Sequence, residues 1–193
     1  LRERPIQNDS IRVERIDPEA VIQTRGSRIL QADLLGENLR VVADRQDTYR
    51  DGSLRLADNV QITIADRNDR DGFILTGDNA VVDAGKSEVE LQGNVGMKSS
   101  NGLSAKTGTA SYLDGGGIVH MPGSANFERD DMNAAGRGAE YDRNRDVLRL
   151  LDQAHVDLLN ASTHTRITSG SATLAQTDAY MEFEERVKIE TGG

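Results

Sequence analysis

The chain has no cysteine and no tryptophan, only three prolines, and 4% aromatic residues among its 193. Without cysteine there is no disulfide framework and no thiolate to act as nucleophile or metal ligand; exported bacterial proteins and cytosolic ones both fit that lack. No run of about 18 apolar residues occurs, and the first ten residues, Leu1 to Ser10, hold no apolar signal core. The chain as given therefore carries neither a spanning helix nor its own export signal, and its first residue, Leu rather than Met, points to a segment removed upstream. Basic residues are also short. Against 23 Lys and Arg stand 32 Asp and Glu, a formal charge of −9, which excludes the cationic surface that a nucleic-acid partner requires. Length and a 36% apolar fraction fit one domain with a modest core.

With so little proline, turns fall to the nineteen glycines and to Asn and Asp. The stretch from Val89 to Met97, VELQGNVGM, places apolar residues at every second position except the middle one, Gly93. The same arrangement occurs five times: Leu54, Leu56, Val60, Ile62; Val89, Leu91, Val95, Met97; Val119, Met121, Ala125, Phe127; Leu148, Leu150, Ala154, Val156; and Met181, Phe183, Val187, Ile189. The middle position holds Asp58, Gly93, Gly123, Asp152 and Glu185, and the positions between are mostly charged or polar. Period two with one dry and one wet face is a strand signature. The copies start 35, 30, 29 and 33 residues apart, an irregular but real array.

A second strand type alternates with the first: Phe73, Leu75 then Ala80, Val82; Leu103, Ala105 then Ala110, Tyr112; Met132, Ala134 then Ala139, Tyr141; and Thr165, Ile167 then Ala172, Leu174. The step of five between the pairs is odd, so one extra residue has to be absorbed. A β-bulge at Gly77, Gly108, Gly136 or Gly138, and Gly170 is the expected device. An earlier copy reads Ala32, Leu34 then Leu39, Val41, which starts the array by about residue 32 and leaves residues 1–29 as a less regular N-terminal edge. The segment from Asp17 has a cap-like start, but Val21, Ile22 and Thr24 with Gly26 favour strand over helix. Turn signals recur every 14 to 16 residues beyond the first interval, leaving room for strands of about ten residues in antiparallel meander order. Such strands expose one apolar face each, so they must stack as two sheets or curl into a jelly roll.

No constellation asks for catalysis. The stretch Asp66 to Gly72 resembles a calcium loop, but placing Gly72 at the turn glycine puts Arg67 at the first ligand position, so a solvated hairpin loop is the better reading. The Ala84 to Ser87 stretch, AGKS, ends like a phosphate loop, yet Ala80 stands where the earlier glycine belongs. Gly115 to Gly117 and Asn160 to Ser162 read as loops. The three histidines, His120, His155 and His164, lack ligand spacing, and no carboxylate pair stands out as acid and base. The expectation is a non-enzyme with no cofactor and no metal.

At LRLADNV, VELQGNV and LRLLDQAHV, alternating with GTASYLDGGG and GAEYDRNRD, the sequence resembles the periplasmic lipopolysaccharide-transport family of LptC, LptA and OstA-like domains. The likeness runs from about Ala32 to Ile189 and is carried by pattern. The segment Gly138 to Leu158 looks most like the closing part of LptC, while the extra copy after Asn160 extends the array in the manner of LptA. The resemblance implies an all-β, open antiparallel β-jelly roll of about five strand-pair repeats, spanning 1–193 as a single domain. It implies a non-catalytic bridge component of lipopolysaccharide export and outer-membrane biogenesis, LptC-like by preference. That bridge would hold acyl chains between two sheets and pass them along domains stacked across the periplasm. Partners would be lipopolysaccharide, other bridge proteins and the inner-membrane export transporter, joined by edge-strand addition, with head-to-tail homo-oligomers possible and a membrane tether lying outside this chain. Interior candidates for lipid contact are Leu56, Val60, Leu91, Met97, Met121, Phe127, Leu150, Met181 and Phe183. Candidates at the partner edges are Leu30, Ala32, Val187 and Ile189.

The same residues admit another reading. Inward aliphatic side chains can simply pack on one another, giving a β-rich structural or adhesin-like surface repeat with a filled core. An enzyme on a parallel β-helix fits less well, since its rungs run about 20 to 25 residues with clustered catalytic groups.

Overall fold

The computed structural model describes residues 16–32, 39–66, 71–83, 88–113, 117–160 and 163–192, with the side chains of 26–39 left aside. Every regular element among the described residues is a strand: β1 (Ile22–Ala32), β2 (Leu39–Thr48), β3 (Leu54–Ile64), β4 (Phe73–Asp83), β5 (Glu88–Ser99), β6 (Ser104–Leu113), β7 (Ile118–Arg129), β8 (Met132–Asp142), β9 (Val147–Asn160), β10 (Thr163–Ser169), β11 (Ser171–Ala175), β12 (Tyr180–Glu184) and β13 (Lys188–Gly192). No helix among them is long and apolar enough to cross a membrane. From β1 to β10 each strand pairs antiparallel with the next, as the alternation and the evenly spaced turns require. At the C-terminal end, β9 pairs with β10 along Ala154 to Asn160 and with β11 along Val147 to Leu150. β12 and β13 then lie outside β11 and β10. These four segments are two long strands, interrupted at Gly170 and at Glu185 to Val187. The whole is one open meander of eleven long strands, with β1 at one edge and β12 and β13 at the other, matching the all-β expectation.

The pairing register slips once near the middle of nearly every strand pair, and these slips line up across the sheet as a crease. The extra residue sits in the first strand type. Ala57 pairs with Asn79 and Val60 with Gly77, three steps against two; Gln92 pairs with Thr109 and Val95 with Thr107 in the same way. The bulges expected at the glycines of the second strand type thus lie across the ladder in their partners, although Gly138 does take φ +73° and Gly170 marks the break between β10 and β11. The crease residues are left-handed: Asp58 and Asn59, Gly93 and Asn94, Gln153, Glu185 and Arg186. Asn and Gly tolerate that conformation best. Asn59 donates to Asp44 at 2.6 Å and Asn94 to Asp78 at 2.8 Å, each reaching the neighbouring strand at the crease. The middle position of VELQGNVGM is therefore where its strand turns the corner.

Folding along the crease brings the inward faces of the two half-sheets together. Their side chains form one contiguous core from Val41 on β2 to Leu174 on β11. The hairpin tips of one sheet end meet those of the other: the ring of Phe73 at the start of β4 stands edge-on to that of Tyr112 at the end of β6, with centroids 5.1 Å apart. One sequence expectation is corrected here. Ala32 ends β1 and Leu39 starts β2, so the copy read across Leu30 to Val42 is not one strand, and the array begins at Ile22 rather than near residue 32. The second-type strand is β2 itself, whose Gln46 and Thr48 stand opposite Leu56 and Leu54. Polar residues at those positions hide the strand from an apolar pattern.

A Cβ at Gly93 would come within 2.4 Å of an Asp78 carboxylate oxygen, on a backbone at φ +77°, whereas one at Gly123 meets nothing within 4 Å. Gly93→Ala should lose about 1–2 kcal/mol of stability in urea titrations, and Gly123→Ala should stay within about 0.5 kcal/mol of the parent.

Candidate functional site: the interior, its seam and its open end

The interior candidates divide by position. Leu56, Val60, Leu91, Met97, Met121, Phe127 and Leu150 all belong to the single core and are at most 3% exposed. Met181 and Phe183 are on β12, at the far end of the array. The repeat continues there, but its burial does not: Met181 is 43%, Val187 46% and Ile189 62% exposed, and Phe183 packs only partly against the core. Among the described residues no further strand covers these inward positions. The edge candidates also separate, with Leu30 and Ala32 on β1 and Ile189 on β13, at opposite edges of the sheet, and Val187 just before β13.

Opposite the crease the two half-sheets meet tip to tip in a polar seam. Asn101, in the turn between β5 and β6, donates to Asp71 at 2.9 Å, to the Tyr141 hydroxyl at 2.7 Å and to Asp146 at 3.0 Å, while its own carbonyl accepts from Leu103 N–H. Arg129 ends β7 at an inward position and grips Asp146 with both terminal nitrogens, at 2.7 and 3.1 Å. Its side chain is 7% exposed and that of Asp146 14%. Burial pushes the Tyr141 hydroxyl above its usual pKa. Further along the seam, Asp66 accepts from Gly72 N–H and from the Ser100 hydroxyl, and these bonds hold its carboxyl below the usual range. The Asp66 carboxylate thus closes its own loop; residues 67–70 of the supposed calcium loop lie outside the described residues, as do the AGKS stretch, residues 114–116 and Ala161 with Ser162. Arg143 is fully buried with its guanidinium 5.7 Å from the Phe73 ring centroid. Inward polar residues at strand tips carry no period-two signal, so an apolar repeat does not mark the seam.

Beyond Arg129 the lacing stops. A cleft of about 260 Å³ follows, between the β7–β8 tip and the β11–β12 tip, walled by Leu103, Met132, Leu148, Leu174 and Met181 with Arg129 at its margin. On the outward face, a groove of about 950 Å³ lies among Ile74, Thr76, Lys98, Lys106 and Glu128. Also outward, the structure gathers two histidines that sequence spacing kept apart. His155 and His164 both reach Asp157, at 3.1 and 2.8 Å, and Arg166 donates to it at 2.9 Å. His120 faces Glu140 at 3.3 Å.

Removing the seam carboxylate strands a buried guanidinium. Asp146→Asn, which keeps a residue tolerant of φ +50°, should cost about 3 kcal/mol, and adding Arg129→Met should recover most of it in a double-mutant cycle. Burial of Asp157 raises its pKa, but the bonds from Arg166 and His164 outweigh this and hold it at about 2 against 3.8 for the free group. Its stabilising contribution is present above pH 3.8 and disappears as pH falls through about 2. Acid titration of Asp157→Asn should lack that component of the parent's loss.

No family model and no curated protein sequence matches the chain. Solved structures do. LptH from Pseudomonas aeruginosa, the LptA-homologous periplasmic component of the conserved lipopolysaccharide transport device, superimposes with a TM-score of 0.55 at 16% identity, over 66% of this chain and 99% of LptH. At that identity the likeness establishes architecture: the chain has the open antiparallel β-jelly-roll fold of LptH.

Proposed function

We propose that this protein is a non-catalytic, lipid-carrying bridge component of lipopolysaccharide export, working in the periplasm. The fold shared with LptH, a periplasmic lipopolysaccharide-transport component, supports the general role. The observation that carries it is the change of burial along one repeated face. Inward positions of β5, such as Leu91 and Met97, are sealed at 0–2%, while the equivalent positions of the last copy, Met181 and Ile189, are 43% and 62% exposed. A dry interior that ends in an uncovered apolar face suits a conduit continued by a further module. Among the described residues both terminal strands are unpaired on one side, templates for strand addition by other bridge proteins or by a second copy. The finer assignment, LptC-like with an inner-membrane tether outside this chain and contact to the export transporter, rests on the likeness of Gly138 to Leu158 to the LptC closing segment.

A second reading draws on the same burial. Between β3 and β9 the core is closely filled, as a structural or adhesin-like repeat would require. Occupancy of the interior separates the two. A photoreactive residue at Met121 or Met181 should crosslink to lipopolysaccharide, and one at outward Glu90 should not. Silence at all three positions in folded protein supports the filled repeat. Met181→Asp, at an exposed site, should reduce crosslinking from Met121 while leaving the β spectrum unchanged.

A further inference from the structure

At the end of the seam, the Nε–H of Arg129 makes no hydrogen bond among the described residues. Arg129 spends both terminal nitrogens on Asp146, and its Nε is buried with no acceptor within hydrogen-bonding distance among the described residues. A buried N–H left unpaired is unfavourable, so native structures rarely keep one without a partner. Arg129 also stands at a junction: it borders both the outward groove and the apolar cleft beyond the lacing. Its place in the repeat is equally unusual. It follows Phe127 by two on the inward face of β7, where β3 has Ile64, β5 has Ser99 and β9 has Leu158, so no equivalent position is charged.

The chemistry of the free donor selects its acceptor. The charge of the guanidinium is already balanced by Asp146, and in the adjoining groove Glu128 and Asp130 offset Lys98 and Lys106, so no net charge is left there to draw a phosphate or carboxylate. A neutral acceptor fits. The cleft it borders is walled by Leu103, Met132, Leu148, Leu174 and Met181, a surface for hydrocarbon. A neutral oxygen at the head of a hydrocarbon chain is an acyl carbonyl.

We propose that this cleft is an acyl-carbonyl site: Arg129 Nε–H donates to the ester or amide carbonyl of an acylated lipid whose chain lies between the β7–β8 and β11–β12 tips. The site opens through the side of the sandwich where the seam lacing ends, next to the uncovered terminal face, with which it shares Met181. It rests on the lipid-carrying reading and adds to it a lateral mouth that recognises the acyl linkage.

Two monomeric amphiphiles with the same chain and head test it: 1-lauroylglycerol, which has the ester carbonyl, and 1-O-dodecylglycerol, which lacks it. Calorimetry on the full chain should show the ester binding tighter by on the order of tenfold, the worth of one hydrogen bond from a charged donor. Arg129→Lys retains a cation for Asp146 but has no Nε–H, and should bind the two equally. Should that variant fold poorly, the parent decides alone: the ester, and not the ether, should shift the Arg129 Nε–H resonance in ¹H–¹⁵N spectra. Equal affinities in the parent, an ester preference that survives Arg129→Lys, or an unmoved resonance at saturation each overturn the proposal. Absence of binding by either amphiphile also overturns it, while crosslinking from Met121, which lies outside the cleft, continues to decide the conduit reading independently.

Discussion

Everything in this fold depends on each strand turning a corner at its midpoint without presenting its inward face to water. A flat meander of these strands would leave a row of Leu, Val and Met uncovered. At the level of the corner most of the bulged strands use residues that accept left-handed backbone, with β7 turning without one. Asp58 with Asn59, Gly93 with Asn94, and Glu185 with Arg186 supply that level. The side chains of Asn59 and Asn94 then tie the corner to Asp44 and Asp78 on the adjacent strands. Because the corners align, two half-sheets face each other along most of the chain, and the interior becomes one continuous core rather than a series of separate ones.

Closing the fold along one side forces the hairpin tips together on the other, and this explains why the polar groups are where they are. Tips carry turn residues, which are Asn, Asp and Gly for conformational reasons. When the half-sheets meet, those residues come face to face near solvent, and they bond across the gap. Asn101 and Asp146 are turn residues of this kind, recruited into the Arg129 and Tyr141 network by geometry alone. The apolar interior and the polar seam are therefore two consequences of one crease.

The repeat made the architecture legible. Alternation at Leu54 to Ile62 and its four later copies marked the strands and their inward faces, and the turn spacing gave their order. What the pattern could not show has physical reasons. Gln46 and Thr48 face inward near an edge, where burial is incomplete and polar residues are tolerated, so β2 was read one hairpin too early. The location of the extra crease residue depends on pairing register, which is a property of two strands and is not visible in either. Among candidate site residues, the pattern grouped Met121 with Met181 as equivalents. Their difference in exposure arises because β12 is an edge, and a periodic sequence carries no mark of where its array stops being covered. Arg129 was overlooked for the opposite reason, being a charged residue at an inward position that apolar counting discards.

A close-packed interior and a lipid path are compatible if passage works by exchange. Acyl chains are as apolar as Leu or Val, so replacing contacts between the half-sheets with contacts to hydrocarbon neither gains nor loses much of the hydrophobic driving force. What resists separation of the half-sheets is dispersion in the packed core and the directional bonds of the seam. The core term is recovered when a chain fills the gap, whereas the seam term is not, since Asn101, Asp146 and Arg129 find no substitutes in hydrocarbon. The seam is then the element that keeps the sandwich shut through its centre, and access for a lipid is favoured where the lacing ends beyond Arg129 and where β12 and β13 leave the inward face uncovered. In a chain built this way, the polar seam restricts where the apolar interior can be reached.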